Sequence, residues 1–192
     1  MKIVIPLNNL DAIQQIHDLL VEKHVSWLVG GSCGLLLQGV AIAVPPRDLD
    51  LYVDAESAIV VHEALQVYAT DQLLQSQTGI YKSLLSHYQI ANVSIEVVGG
   101  FEVHAQNSHY KVEVNDFLEA FGVSYEIKDR QIGLMPLAHE LVFNMLRQRP
   151  DRYRAIVEKM RMNPGESFIP LNKILERNTF STEFVNRLNE LL

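Results

Sequence analysis

The stretch Asp48-Leu49-Asp50-Leu51-Tyr52-Val53 constrains this chain more than any other. Apolar side chains at 49, 51 and 53 alternate with 48, 50 and 52. A period of two belongs to a strand with one buried face. The same period puts both aspartates on the opposite face as neighbours. Aspartate is depleted in strands and seldom buried without a partner. Two carboxylates held this close repel, so one takes up a proton or both meet a cation. Hard oxygen donors of this kind suit Mg²⁺, which keeps some of its waters and bridges to phosphate. Taken alone, such a pair is more simply a solvated acidic face.

Three neighbours weigh against that simpler reading. Gly30-Gly31-Ser32 lies between a short apolar stretch, 26–29, that reads as a strand and a run, 34–38, that reads as a short helix. Glycines there let the backbone approach a ligand closely, and free N–H groups at a helix start form an anion site. The order is the second neighbour: glycine turn, helix, the breaker Pro45-Pro46, acidic strand. The third is Glu96, a lone carboxylate in the apolar stretch Ser94-Ile95-Glu96-Val97-Val98. It completes a cage able to hold two divalent ions.

Leu28-Val29-Gly30-Gly31-Ser32 followed by Arg47-Asp48-Leu49-Asp50-Leu51-Tyr52-Val53 resembles the signature of the nucleotidyltransferase superfamily that includes DNA polymerase beta. The small aminoglycoside and toxin-type nucleotidyltransferases are the most similar subgroup. The likeness to them rests on a leading helix, Trp27 ahead of the glycines, the insert from Cys33 to Arg47, and a strand-then-helix segment from Ile132-Gly133-Leu134-Met135-Pro136-Leu137 through 147–154. It spans residues 10–155 loosely. The resemblance implies an enzyme that moves a nucleoside monophosphate from a nucleoside triphosphate to a hydroxyl of a small-molecule acceptor, an antibiotic being one candidate, with two Mg²⁺ and release of pyrophosphate. It implies that Ser32 and the backbone of Gly30 and Gly31 hold the nucleotide phosphates and that Asp48 and Asp50 bind the metals. Glu96 becomes the third carboxylate, a metal ligand or the general base, with Glu102 and Glu113 as competitors. In-line attack on an α-phosphate needs both attacking and leaving oxygens stabilised, which two metals about 4 Å apart supply.

The rest of the chain frames this site. At 192 residues it is long enough for one sizeable core. The fold class expected is α+β: a nucleotidyltransferase-like mixed sheet flanked by helices over 1–132, then an all-helical C-terminal part over 133–192. A first helix, capped by Asn8 or Asn9, runs to about Lys23. Residues 55–75 read as helical, 81–90 and 93–98 as strands, and Gly99-Gly100 as a turn or bulge. Further strands fall at 110–114 and 123–127, with a turn at Asp129-Arg130. Pro136 opens a helix; others follow over 151–162, 170–177 and 181–192, the last capped by Thr179 or Ser181.

The net charge of −7 is unevenly spread: residues 1–127 hold 5 Lys/Arg against 15 Asp/Glu, and residues 128–192 hold 11 against 8. The overall balance argues against a general nucleic-acid binder and fits a cationic acceptor. The C-terminal cluster Arg147, Arg149, Arg152, Arg154, Lys159 and Arg161 is diluted by Asp151 and Glu158. By default it is a solvated helical face; its functional reading puts Arg152 and Arg154 on the triphosphate. Contact with a tRNA end is the wider alternative, with RNA a less favoured partner. The single cysteine, Cys33, excludes an internal disulfide. No apolar run reaches membrane-span length and the N-terminal stretch is too short for a signal peptide, so no membrane partner and a cytoplasmic location are expected.

Other classes compete for the same residues. A toxin-type enzyme would act on tRNA or protein, and a regulatory relic would bind nucleotide without catalysis. Gly30-Gly31-Ser32-Cys33-Gly34 also matches the nucleophile elbow of a serine hydrolase built on Ser32. Only one strand precedes that serine, and a hydrolase leaves the aspartate pair unexplained. His139-Glu140 begins like a zinc-protease helix, but Phe143 stands where the second histidine belongs.

Overall fold

The computed structural model describes residues 4–192; the first three residues of the N-terminal stretch lie outside it. Its centre is β2 (Asp48–Val53), flanked by β1 (Leu28–Gly30) running antiparallel and β5 (Val93–Ala105) running parallel. With β3 (Leu74–Thr78), β4 (Tyr81–Ile90), β7 (Val123–Ile127) and β8 (Arg130–Leu134), the sheet order is β3-β4-β5-β2-β1-β8-β7, and β6 (Ser108–Lys111) pairs with the far end of β5. The sheet is mixed, as expected.

Alternation along β2 sorts the helices. Leu49, Leu51 and Val53 join a core with Ile13, Ile16 and Leu20 of α1 (Leu7–Leu20) and Ala58, Val61 and Leu65 of α3 (Ala55–Leu65). Tyr52, on the other face, joins a core built with α4 (Leu137–Leu146), α5 (Pro150–Met160), α6 (Pro164–Arg177) and α7 (Thr182–Leu191). The face that carries Asp48 and Asp50 is therefore the one roofed by the C-terminal helices. The short α2 (Gly31–Leu37) links β1 back towards β2.

Several boundaries differ from expectation for identifiable reasons. Pro6, not Asn8 or Asn9, stands at the cap of α1, and no side chain caps it. Asn9 is buried and donates from Nδ2 to Cys33 Sγ (3.3 Å). The helix expected over 55–75 stops at Leu65 with a short 3-10 turn, and β3 follows. Strand β5 does not end at Gly99-Gly100. Lys82 pairs with Glu102 but Leu84 with Gly99, so β5 carries one extra residue at the glycines, with Gly100 at φ +56°. The pair is a bulge inside a continuous strand. Lys128 and Asp129, both at positive φ, make the β7–β8 turn, one residue earlier than read. Helix α6 starts at Pro164 and carries Pro170 inside it. Ser181 caps α7, its Oγ accepting from the Phe184 N–H (3.2 Å).

Candidate active site

Strand register assembles the carboxylates. Asp50 lies opposite Gly30 on one side and Glu96 on the other; Glu96 in turn lies opposite His87 of β4. One transverse row, Gly30–Asp50–Glu96–His87, thus crosses four strands. Asp48 lies two residues along on the same face. All three carboxylates line a cleft of about 560 Å³ together with Gly31, Ser32, Arg47 and, from α4 and beyond, Arg147, Arg149 and Arg152.

The carboxylates crowd one another. Burial, then the charges of Asp48, Glu96 and Glu140, push the Asp50 carboxyl up to about 8. Burial also raises Glu96, with Asp48 adding to it and His87 opposing. Among the described residues, neither Asp48 nor Asp50 receives a side-chain hydrogen bond from the protein. Three hard oxygen ligands, crowded together and two of them without side-chain donors, fit divalent cations. Asp71 sets the outer end of the row. Its Oδ1 accepts from the His87 N–H (2.7 Å) and its Oδ2 meets His87 Nδ1 (2.5 Å), while His87 Nε2 lies 3.5 Å from Glu96 Oε2. Burial pulls His87 down, but the Asp71 hydrogen bond and the Asp71 and Glu96 charges outweigh it and raise its pKa.

The glycine turn is held from the opposite side. Gly31 has φ +58°, and a Cβ there would sit 1.8 Å from Asp50 Oδ2; a Cβ on Gly30 would strike the Tyr52 ring at 2.5 Å. The Gly31 N–H donates to Glu140 Oε1 (2.7 Å). That amide is therefore already engaged, while Ser32 beside it lines the cleft. Glu140 is fully buried, and burial pushes its carboxyl up to about 7, against the Gly31 N–H and the Arg147 charge. Cys33 is buried under the turn, its thiol pushed up to about 12 chiefly by burial and donating to the Asp48 carbonyl (3.4 Å). It is a packing residue.

The arginines divide. Asn144 Oδ1 accepts from Arg147 Nε (3.0 Å) and Nη2 (2.7 Å), and the guanidinium lies 4.3 Å over the Phe143 ring. Arg149 is paired with Asp151 at 3.0 and 2.9 Å. Arg152 is 9% exposed, and burial with the Arg149 and Arg147 charges pulls its pKa below the usual guanidinium value. Arg154 is exposed and does not line the cleft. Residues two positions apart in a helix lie about 200° apart around its axis, so one face of α5 cannot present both.

Of the residues singled out from sequence, the structure thus brings Gly31, Ser32, Asp48, Asp50, Glu96 and Arg152 to one cleft, with Gly30 in the same row, and leaves Arg154 outside. Glu102 sits with Lys82, His104 and His109, and Glu113 pairs with Arg177 (3.1 Å); neither lines the cleft. Sequence reasoning missed Glu140, His87 and Asp71. Glu140 had a signal, a lone carboxylate in a helix whose residues from Ala138 to Leu146 are all buried. His87 and Asp71 had none, because only strand register brings them to Glu96. No histidine lines the cleft, so Ser32 has no triad partner there among the described residues.

A half-buried aspartate pair, a third carboxylate on the next parallel strand and a positive-φ glycine turn share one cleft on a mixed sheet, the layout expected of a nucleotidyltransferase. Residues 12–144 match the aminoglycoside-2''-adenylyltransferase family, and the chain belongs to it. That family consists of transferases. No curated protein sequence matches the chain. Among solved structures, a protein of Thermotoga maritima described as a candidate nucleotidyltransferase is similar at 22% identity, covering 88% of this chain and 96% of its own, with a TM-score of 0.62. The antibiotic-resistance factor ANT(2'')-Ia is similar at 10% identity, covering 89% of this chain and 93% of its own, TM-score 0.53. In its complex with adenylyl-2''-tobramycin the same factor gives 11% identity, 88% and 98% coverage, and a TM-score of 0.50. These likenesses show a shared fold.

Proposed function

We propose that this protein transfers a nucleoside monophosphate from a nucleoside triphosphate to a hydroxyl of a small-molecule acceptor, releasing pyrophosphate. Family membership supports the class of reaction, and the adenylylated antibiotic held by ANT(2'')-Ia makes an antibiotic hydroxyl the first acceptor to try. The observation that carries the reading is the row Gly30–Asp50–Glu96 with Asp48 beside it, facing three arginines across one cleft.

Asp48, Asp50 and Glu96 are the residues that would hold two Mg²⁺. When bound, the ions supply positive charge to the attacking and leaving oxygens. The chain's own groups do the remainder. Ser32 and the guanidinium groups of Arg152 and Arg147 grip phosphate oxygens, Arg147 being pre-set by Asn144. Glu140 keeps the Gly31 turn fixed against Asp50. His87, oriented by Asp71, holds Glu96 where it can take the acceptor proton. The division into a core, 1–132, and a helical part, 133–192, belongs to this reading, with the helices roofing the cleft. Among the described residues, no helix is long and apolar enough to cross a membrane.

Asp50→Ala is the test. The variant loses Mg²⁺-dependent nucleotide binding and pyrophosphate release with aminoglycoside acceptors, while its circular dichroism is unchanged. Retained Mg²⁺-dependent binding by a folded variant would sink the metal assignment. Pyrophosphate release with tRNA alone would instead favour the toxin-type reading.

A further inference from the structure

The β5–β6 hairpin carries a cluster that the cleft does not use. Gln106 and Asn107, at φ +53° and +54°, make its two-residue turn, so Ala105 faces Ser108 and His104 faces His109. Glu102 lies two residues before His104 on the same strand face. Phe101 and Val103 point into the core, which turns Glu102 and His104 outward. The His104 and His109 rings stack with centroids 4.2 Å apart. Both direct Nε2 at one carboxylate oxygen: Glu102 Oε2 is 3.2 Å from His104 Nε2 and 2.9 Å from His109 Nε2. Lys82, on β4, holds the other oxygen, Oε1, at 2.9 Å.

We propose that Glu102, His104 and His109 form a site for one divalent transition metal of the zinc class, separate from the carboxylate cleft. Two imidazole nitrogens and one carboxylate oxygen are a donor set that such ions take, leaving a fourth position for water. Tetrahedral bonds of about 2.0–2.1 Å place neighbouring donors roughly 3.3 Å apart. The two Glu–His separations are already close to that value, and the three donor atoms lie within 4.8 Å of one another. Small ring rotations close the set.

The surroundings favour the bound form. Direct cross-strand pairing over a two-residue turn fixes both histidine Cβ atoms before any ion arrives, so little ordering remains to oppose binding. Lys82 keeps the carboxylate one-pronged and supplies the outer hydrogen bond that ligating carboxylates commonly receive. The histidine side chains are 52% and 45% exposed, so an ion and its water reach the site from solvent. Mg²⁺ is poorly matched to imidazole. Donor chemistry therefore separates this site from the all-carboxylate cleft.

Competition with a chromophoric chelator, using Zn²⁺ alone as probe, tests the site. Asp50→Asn, which disables the cleft, binds one Zn²⁺ at micromolar or tighter affinity. His104→Ala and His109→Ala, made in the Asp50→Asn chain, weaken that binding by about 100-fold or more. No Zn²⁺ binding by Asp50→Asn, or equal binding in the histidine variants, overturns the proposal. Ring resonances in ¹⁵N NMR of Asp50→Asn read the same question without altering the hairpin. One equivalent of Zn²⁺ moves the signals of His104 and His109 among the seven histidines, and unmoved signals from both overturn it.

Discussion

Gly31 meets two demands that no other residue meets together. Its φ of +58° disfavours any side chain, and a Cβ would fall 1.8 Å from Asp50 Oδ2. Its N–H is the donor that Glu140 accepts at 2.7 Å, and a buried carboxylate stripped of that bond loses its main partner. Gly31→Ala therefore strains the turn and displaces the Asp50 carboxylate at once. Urea unfolding should show a loss of about 2–4 kcal/mol, and Mg²⁺-dependent nucleotide binding should fall below detection. A variant that keeps both stability and binding would show that the turn is not the brace for Asp50. The glycines and the aspartates were legible in sequence because each breaks a local rule: glycine after a strand, charge within one. Glu140 broke a rule too, but only against a buried helix, and burial of α4 is a tertiary fact. His87 and Asp71 obey every local rule, and nothing short of the β4–β5 register ties them to Glu96.

Elements were legible where the chain's periodicity and its surroundings agree. Strands β4 and β7 fall where alternation and turn residues put them. β3, Leu-Gln-Ser-Gln-Thr, is an edge strand with mostly exposed residues and so has no buried face to write into the sequence. α6 was half hidden because Pro170 lies inside it, where a proline removes a backbone N–H and its ring crowds the carbonyl four residues back. The same element logic splits the arginines of α5. Arg152 turns inward to the cleft and Arg154 outward to solvent. Arg152→Ala should weaken triphosphate binding by roughly 10–100-fold, the worth of one charge-assisted hydrogen bond. Arg154→Ala should leave it within about twofold. Isothermal titration with each nucleoside triphosphate and Mg²⁺ checks the pair, and equal losses in both variants would mean that the α5 cluster acts only as a diffuse basic patch.

At the scale of the whole molecule, the sheet carries an expense that the fold alone does not explain. Helices α1 and α3 seal one face with aliphatic side chains, whereas the other face is sealed by α4 to α7 except where Asp48, Asp50 and Glu96 crowd together. A chain selected for stability alone would not crowd three carboxylates there with only His87 to offset them, since each raises the cost of ionising the others. Asp50→Asn keeps the side-chain shape and removes one charge from the crowd. In EDTA at pH 8 the variant should unfold roughly 1–3 kcal/mol less easily than the unsubstituted protein, discounted for the solvent that reaches the cleft. For a chain of this size that is a rise in Tm of about 3–9 °C. The sign follows from the raised carboxyl. The folded state holds the Asp50 proton more tightly than the unfolded chain, so stability is lost as pH rises from about 4 through about 8, and the advantage of Asp50→Asn vanishes near pH 4. Adding Mg²⁺ with a nucleoside triphosphate should reverse the ranking, because only the unsubstituted protein gains the linkage stabilisation of a bound ligand. Thermal melts with EDTA and with Mg²⁺-nucleotide read both halves. A variant less stable than the parent in EDTA would show that Asp50 serves the fold rather than a metal.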